Sequence, residues 1–124
     1  ILNKNKNQSV VGVDILPMEK ELGKNFTFYN LDLNEYDEIS SLFISKEYCF
    51  DVIISDIAPN TSGNQFLDQA NSYNLSLLSY QFIKNFLKKG GSFLVKNFQG
   101  EDTEALFKEV KSQFKKASYV KPNA

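Results

Sequence analysis

Short, dense apolar runs and longer stripes of helical spacing alternate along this chain. Residues 9–14 (Ser-Val-Val-Gly-Val-Asp) and 25–30 (Asn-Phe-Thr-Phe-Tyr-Asn) are rich in β-branched and aromatic side chains and predict two strands. Pro17 closes the first, because proline disfavours helical backbone in the residue before it. Ile39, Leu42 and Phe43 form one stripe of a helix expected over about 35–45, with Asn34 as its cap. Residues 51–56 carry Val52, Ile53 and Ile54 without alternation, as in a strand buried on both faces of a parallel sheet. The polar stretch Thr61-Ser62-Gly63-Asn64 reads as a loop. Asp68 is expected to cap a helix running to about Leu87, with Leu75, Leu78, Phe82 and Phe86 as its stripe and Ile83 and Leu87 widening it. Lys88-Lys89-Gly90-Gly91 then offers cations in the last turn followed by glycine, a helix ending. Residues 92–98 predict a fourth strand. Asp102 or Thr103 caps a helix to about Phe114, with Leu106, Phe107, Val110 and Phe114 on its apolar face. Ser118-Tyr119-Val120 reads as a last short strand.

Strands that alternate with helices predict an α/β fold, a mostly parallel sheet with helices on both faces. The 124 residues suit a single domain, and an apolar content of 42% can supply its core. No apolar run approaches the roughly 20 residues needed to cross a bilayer. The first residues lack the apolar centre of a signal peptide. A soluble, cytoplasmic protein is expected, without a membrane partner and as a monomer. Cys49 is the only cysteine, which excludes an internal disulfide. Histidine is absent, so the usual general base and the commonest zinc ligand are missing and no metal is expected. Acid–base chemistry falls to Lys, Asp, Glu or Tyr.

The net charge of −1 conceals an asymmetry. Residues 1–74 hold 5 lysines against 11 acids, and residues 75–124 hold 9 lysines against 4. A basic half can face an anionic partner such as nucleic acid, or it can be a set of solvated helix faces.

Three predicted strands finish in a carboxylate: Asp14, Asp32 just past its strand, and Asp56. In open α/β sheets the carboxyl ends of the strands are where ligands bind, and an acid there can accept hydrogen bonds from ribose hydroxyls. Aspartate is also a common turn former, so each one singly has a structural reading. Lys96 interrupts the apolar run Phe-Leu-Val-Lys-Asn-Phe. Either its stem snorkels from a strand end, or it sits beside Asp56 on a neighbouring strand, where burial and the carboxylate together tune it for proton transfer.

These residues also fall into a familiar pattern. Val-Gly-Val-Asp14-Ile-Leu-Pro17-Met, Ser55-Asp56-Ile-Ala-Pro59-Asn60-Thr-Ser-Gly63, Gly90-Gly91-Ser-Phe-Leu-Val-Lys96-Asn-Phe-Gln-Gly100 and Lys121-Pro122 occur in this order over nearly the whole chain. Together they closely resemble the FtsJ/RrmJ-type (RlmE family) ribosomal RNA 2′-O-ribose methyltransferases. The resemblance implies a Rossmann-like fold that binds S-adenosylmethionine (SAM). It implies methyl transfer to the ribose of a uridine in large-subunit ribosomal RNA, with the RNA or the large subunit as partner. By position it makes Asp14, Asp32 and Asp56 cofactor-contacting residues and Lys96 the catalytic proton acceptor, with Asp56 shared between the two roles. The segment around Ala58-Pro59-Asn60 becomes a substrate-side loop. The basic half would hold RNA through phosphate contacts, with Lys84, Lys88, Lys89, Lys115, Lys116 and Lys121 as candidates.

Other readings stay open at this point. The same chemistry could act on a cap or a transfer RNA. The chain could be a Rossmann-like nucleotide-binding oxidoreductase, or an RNA-binding relative without catalysis. The resemblance also places a glycine-rich SAM loop, a first catalytic lysine and a final glutamate outside residues 1–124, which implies a fragment. A polypeptide of these residues alone is therefore expected to transfer no methyl groups to ribosomal RNA and to fold poorly. Robust methylation by that polypeptide would overturn the expectation.

Overall fold

The structure, a computed structural model, describes residues 9–17, 23–56, 62–96 and 103–118. The elements run β1 (Val10–Asp14), β2 (Phe26–Asn30), α1 (Tyr36–Ser45), β3 (Phe50–Ser55), α2 (Gln65–Phe86), β4 (Leu87–Val95) and α3 (Thr103–Gln113). The order agrees with the α/β expectation. Of the last expected strand, Ser118 is irregular and residues 119–120 lie outside the described residues. Backbone contacts group the chain into two compact units, Ile1–Tyr48 and Cys49–Ala124. Each holds its own two-stranded parallel sheet, β1 with β2 and β3 with β4.

In the first unit β1 and β2 pair in step, from Val10 opposite Phe26 to Asp14 opposite Asn30. The amide of Asn30 donates to the carbonyls of Asp14 and Ile15 at 3.0 and 2.8 Å and fastens the end of the pair. Helix α1 buries Ile39 and Phe43 fully, as their spacing predicts, and Leu42 in part. Its start differs from expectation. Asn34 does not cap it, because its backbone N–H donates to Asp32 Oδ1 at 2.9 Å in an Asx turn, and Glu35 occupies the cap position without a side-chain bond. The helix ends in a Schellman motif: Tyr48 N–H donates to Phe43 O, Glu47 N–H donates to Ile44 O, and Glu47 takes the left-handed conformation at φ 56°. The motif turns Tyr48 back onto the Phe43 ring, edge to face at 5.0 Å, where its hydroxyl meets that of Tyr29 at 2.9 Å.

In the second unit α2 is capped by Asn64, whose side chain accepts from the N–H groups of Phe66 and Leu67. Asp68, the expected cap, lies one turn inside the helix and is engaged by Ser62 instead. The buried face of α2 is Ser72, Leu75, Ser76, Ser79, Ile83 and Phe86. Leu78 and Phe82, expected on that stripe, are half-buried at its flank. The three serines share this buried face with Leu75, Ile83 and Phe86. Helix α3 buries Leu106 and Val110, while Phe107 and Phe114 are half-buried. Thr103 opens it, and Asp102 lies outside the described residues.

Strand β4 departs most from expectation. It begins at Leu87, directly after α2, and Lys88-Lys89-Gly90-Gly91 lies inside it. Phe50 pairs with Leu87 but Val52 pairs with Ser92, so β4 accommodates three extra residues in a bulge. The glycines read as a helix stop because a bulge and a helix end both recruit residues with positive φ. Gly90 has φ 86°, and a Cβ on Gly91 would lie 2.7 Å from the carbonyl oxygen of Asp51. The expectation that 51–56 is buried on both faces also fails. Ile53, Ser55 and Phe93 are half-buried on the face toward α2, whereas Val52, Ile54 and Leu94 are about 60% exposed on the other. Among the described residues, the helices of this unit cover one face of its sheet.

Gly91→Ala is expected to cost about 1–3 kcal/mol, since the added methyl meets backbone that cannot rotate away. Gly90→Ala meets open space and should cost about 1–2 kcal/mol from its φ alone. Denaturant unfolding of the two variants checks the order; a neutral Gly91→Ala would show that the bulge is not tight.

Candidate active site

Because β3 and β4 are parallel and in register from Val52–Ser92 onward, their carboxyl ends arrive together. Ser55 pairs with Val95, and the N–H of Lys96 donates to the carbonyl of Ser55 at 3.0 Å. Asp56 and Lys96 are thus the next residues on adjacent strands and leave the sheet on the same side. Lys96 Nζ lies 3.3 Å from Asp56 Oδ1. The pairing expected from sequence is present. Its expected burial is not: Lys96 lies just past β4, and its side chain is 61% exposed, with Asp56 at 72%. Lys96 takes the strand-end position. An exposed pair of this kind contributes at most about 1 kcal/mol to stability. Its interest is chemical: a primary amine oriented by a carboxylate at a ligand-binding sheet edge.

Asp14 and Asp32 lie at the corresponding edge of the first unit. Asp14 ends β1, and Asp32 follows β2 by two residues. Both also hold turns. Asp14 Oδ1 accepts from the N–H of Leu16 at 3.1 Å, and Asp32 Oδ1 accepts from the N–H and the amide of Asn34 at 2.9 and 3.2 Å. In each carboxylate the second oxygen has no hydrogen-bond partner among the described residues and can accept from a ligand. Pro59, Asn60, Gly100, Lys121 and Pro122 lie outside the described residues.

Two hydrogen-bonded groups of the second unit escape a motif-based reading. The Oγ atoms of Ser55 and Ser79 meet at 3.0 Å under the strand end. Six residues past Asp56, Ser62 donates both its N–H and its hydroxyl to Asp68 Oδ1 at 2.8 Å each, and Asn64 N–H donates to Ser62 Oγ at 3.1 Å. The bonds from Ser62, backbone first and then hydroxyl, hold the Asp68 carboxyl below the usual carboxylate range.

Residues 1–124 match the FtsJ-like methyltransferase family. The chain belongs to the FtsJ-like methyltransferase family. Among its relatives is "Ribosomal RNA large subunit methyltransferase E" of Wolbachia sp. subsp. Brugia malayi (strain TRS), 38% identical over 96% of this chain and 53% of that protein. The protein of the same name from Borrelia duttonii (strain Ly) is 34% identical over 96% of this chain and 61% of its own length. The chain therefore spans about half to three-fifths of these relatives. A crystal structure of a ribosomal RNA methyltransferase from Plasmodium falciparum matches with a TM-score of 0.83 at 25% identity, covering 97% of this chain and 70% of that one. The match accords with a Rossmann-like methyltransferase fold, of which the two parallel pairs are parts. FtsJ-like family membership sets the oxidoreductase reading aside. Among the described residues no helix is long and apolar enough to cross a membrane, and no three His, Cys, Asp or Glu side chains are grouped to hold a metal.

The lowered Asp68 carboxyl gives a pH signature. A group whose folded pKa is depressed adds stability above its unfolded value, near 3.9, and loses it as pH falls through the folded value. The stability advantage of the native protein over Asp68→Ala should be constant above about pH 5 and shrink below about pH 4. Urea unfolding of both proteins across that range measures it; an advantage that persists undiminished at pH 2 would be inconsistent with the ionised clasp.

Proposed function

We propose that this chain carries the catalytic edge of a SAM-dependent 2′-O-methyltransferase acting on a uridine ribose of large-subunit ribosomal RNA. The observation that carries the reading is the Lys96–Asp56 contact at the joined ends of two parallel strands, in a member of this family. SAM, when bound, supplies an electrophilic methyl group on a sulfonium and departs as the neutral thioether. The ribose oxygen must lose its proton as its new bond to carbon forms. Lys96 Nζ, in its neutral form, receives that proton, and Asp56 fixes where Nζ points. The acceptor oxygens of Asp14 and Asp32 fit the hydroxyl and amine donors of a nucleoside. Nothing in this scheme calls for an imidazole, which agrees with a chain that has no histidine.

The lysines divide by position. Lys88 and Lys89 open β4, where Leu87 pairs with Phe50, six residues before Asp56. That is roughly 20 Å along the strand from the reactive pair. Lys88 is also paired with Asp51 at 3.8 Å. These two would meet RNA remote from the modified nucleotide, as a salt-sensitive contribution to affinity. Lys115 and Lys116 are exposed after α3 and can act in the same way. Lys121 lies outside the described residues.

In the complete protein, Lys96→Ala is expected to reduce methyl transfer by roughly a hundredfold or more while leaving SAM affinity unchanged. Asp14→Ala and Asp32→Ala are expected to weaken SAM binding by roughly tenfold, as loss of a hydrogen bond of about 1.4 kcal/mol would. Transfer of tritiated methyl from SAM to large ribosomal subunits that lack the modification, with calorimetric titration of SAM, reads both. Retained turnover in Lys96→Ala would remove it from the proton-accepting role; unchanged SAM affinity would confine Asp14 and Asp32 to their turns.

A further inference from the structure

Helix α2 buries three serines, Ser72, Ser76 and Ser79. A buried serine in a helix must place its hydroxyl, and Ala would serve the helix better. Ser79 places its own across the layer, on Ser55 of β3 at 3.0 Å. Ser55 is the residue at which three constraints meet. Its side chain takes the bond from α2, its carbonyl accepts the N–H of Lys96 at 3.0 Å, and its peptide leads directly into Asp56.

The geometry points to Ser79 as a positioning residue for the Asp56–Lys96 pair, acting through Ser55. This rests on the catalytic reading of that pair. The pair itself is exposed and linked by a single contact at 3.3 Å, so it cannot hold its own geometry against solvent. The strand ends beneath it can move only as far as their attachments permit. Past Ser55 and Val95 the described sheet pairing stops, and the last backbone bond across it is that from Lys96 to Ser55. On the covered side of Ser55, the hydroxyl pair ties this frayable end to a 22-residue helix. Strand alternation makes the division of labour possible. Ser55 points toward α2, and Asp56, the next residue, points to the open face. A bond made below the sheet therefore sets where a carboxylate stands above it.

The test uses the complete protein and three variants: Ser79→Ala, Ser55→Ala and the double variant. Alanine is favourable in a helix, so Ser79→Ala should fold. Each single variant should lower kcat for methyl transfer to large ribosomal subunits by roughly ten- to a hundredfold, as a misplaced reacting group does. KM for the subunit should stay unchanged, with active enzyme counted by SAM titration. The double variant should be no slower than the slower single variant, because both remove the same bond. A kcat that is unchanged, or effects of the two serines that multiply, would overturn the inference. Lys96→Ala run alongside separates the two failures: an active Lys96→Ala defeats the catalytic reading, whereas an inactive one beside a fully active Ser79→Ala defeats only the role given to Ser79.

Discussion

The parallel register of β3 and β4 is the constraint on which the site depends. Neither Asp56 nor Lys96 is held by burial, and the two are 40 residues apart in the chain. They meet because Val52 pairs with Ser92 and the count is then kept without error to Ser55 and Val95. A slip of one residue would send Lys96 to the other face of the sheet. The bulge at Gly90-Gly91 makes the count work. It absorbs three residues between the end of α2 and the paired part of β4, and Gly91 lets the strand approach Asp51 more closely than any side chain would permit.

The first unit solves a related problem with polar groups. Asp14 and Asp32 each spend one carboxylate oxygen on a turn, and Asn30 braces the chain between them. A carboxylate fixed by its own turn has lost most of its rotational freedom before any ligand arrives. The structural and functional readings of these acids therefore do not compete. The turn aims the second oxygen, and the ordering cost is met during folding rather than on binding.

What was legible in the sequence follows from what an apolar run can encode. Such a run marks a strand, and a charged residue at its end marks a strand edge, so Asp14, Asp56 and Lys96 could be found without coordinates. Local competition was not legible. Asn34 looks like a cap until Asp32 captures it, and Asn64 caps α2 although Asp68 is an equally good capping residue by type. Lys-Lys-Gly-Gly supports a helix end and a strand bulge equally, and only the partner strand decides between them. The serines of α2 stand outside the apolar stripe of Leu75, Leu78, Phe82 and Phe86 that the sequence predicts. In three dimensions Ser72, Ser76 and Ser79 stand at positions i, i+4 and i+7, the spacing of a face. A period count that weighs small residues with apolar ones would have found that face.

The run Val52-Ile53-Ile54 shows how far apolarity alone can mislead. It predicts burial on both sides, yet its two faces do different things. Ile53 and Ser55 face α2, and Val52 and Ile54 face away from it with Asp56 beyond them. The same alternation governs β4, where Phe93 packs at a tilt against Phe114 and meets Tyr80 edge-on, while Leu94 and Lys96 occupy the other side. Packing is concentrated on one face, and the charged pair stands on the other. This separation leaves the Asp56–Lys96 pair open to solvent while the strands that carry it are packed from the other side. An aspartate or lysine shifted by one position would have to trade one of these requirements against the other.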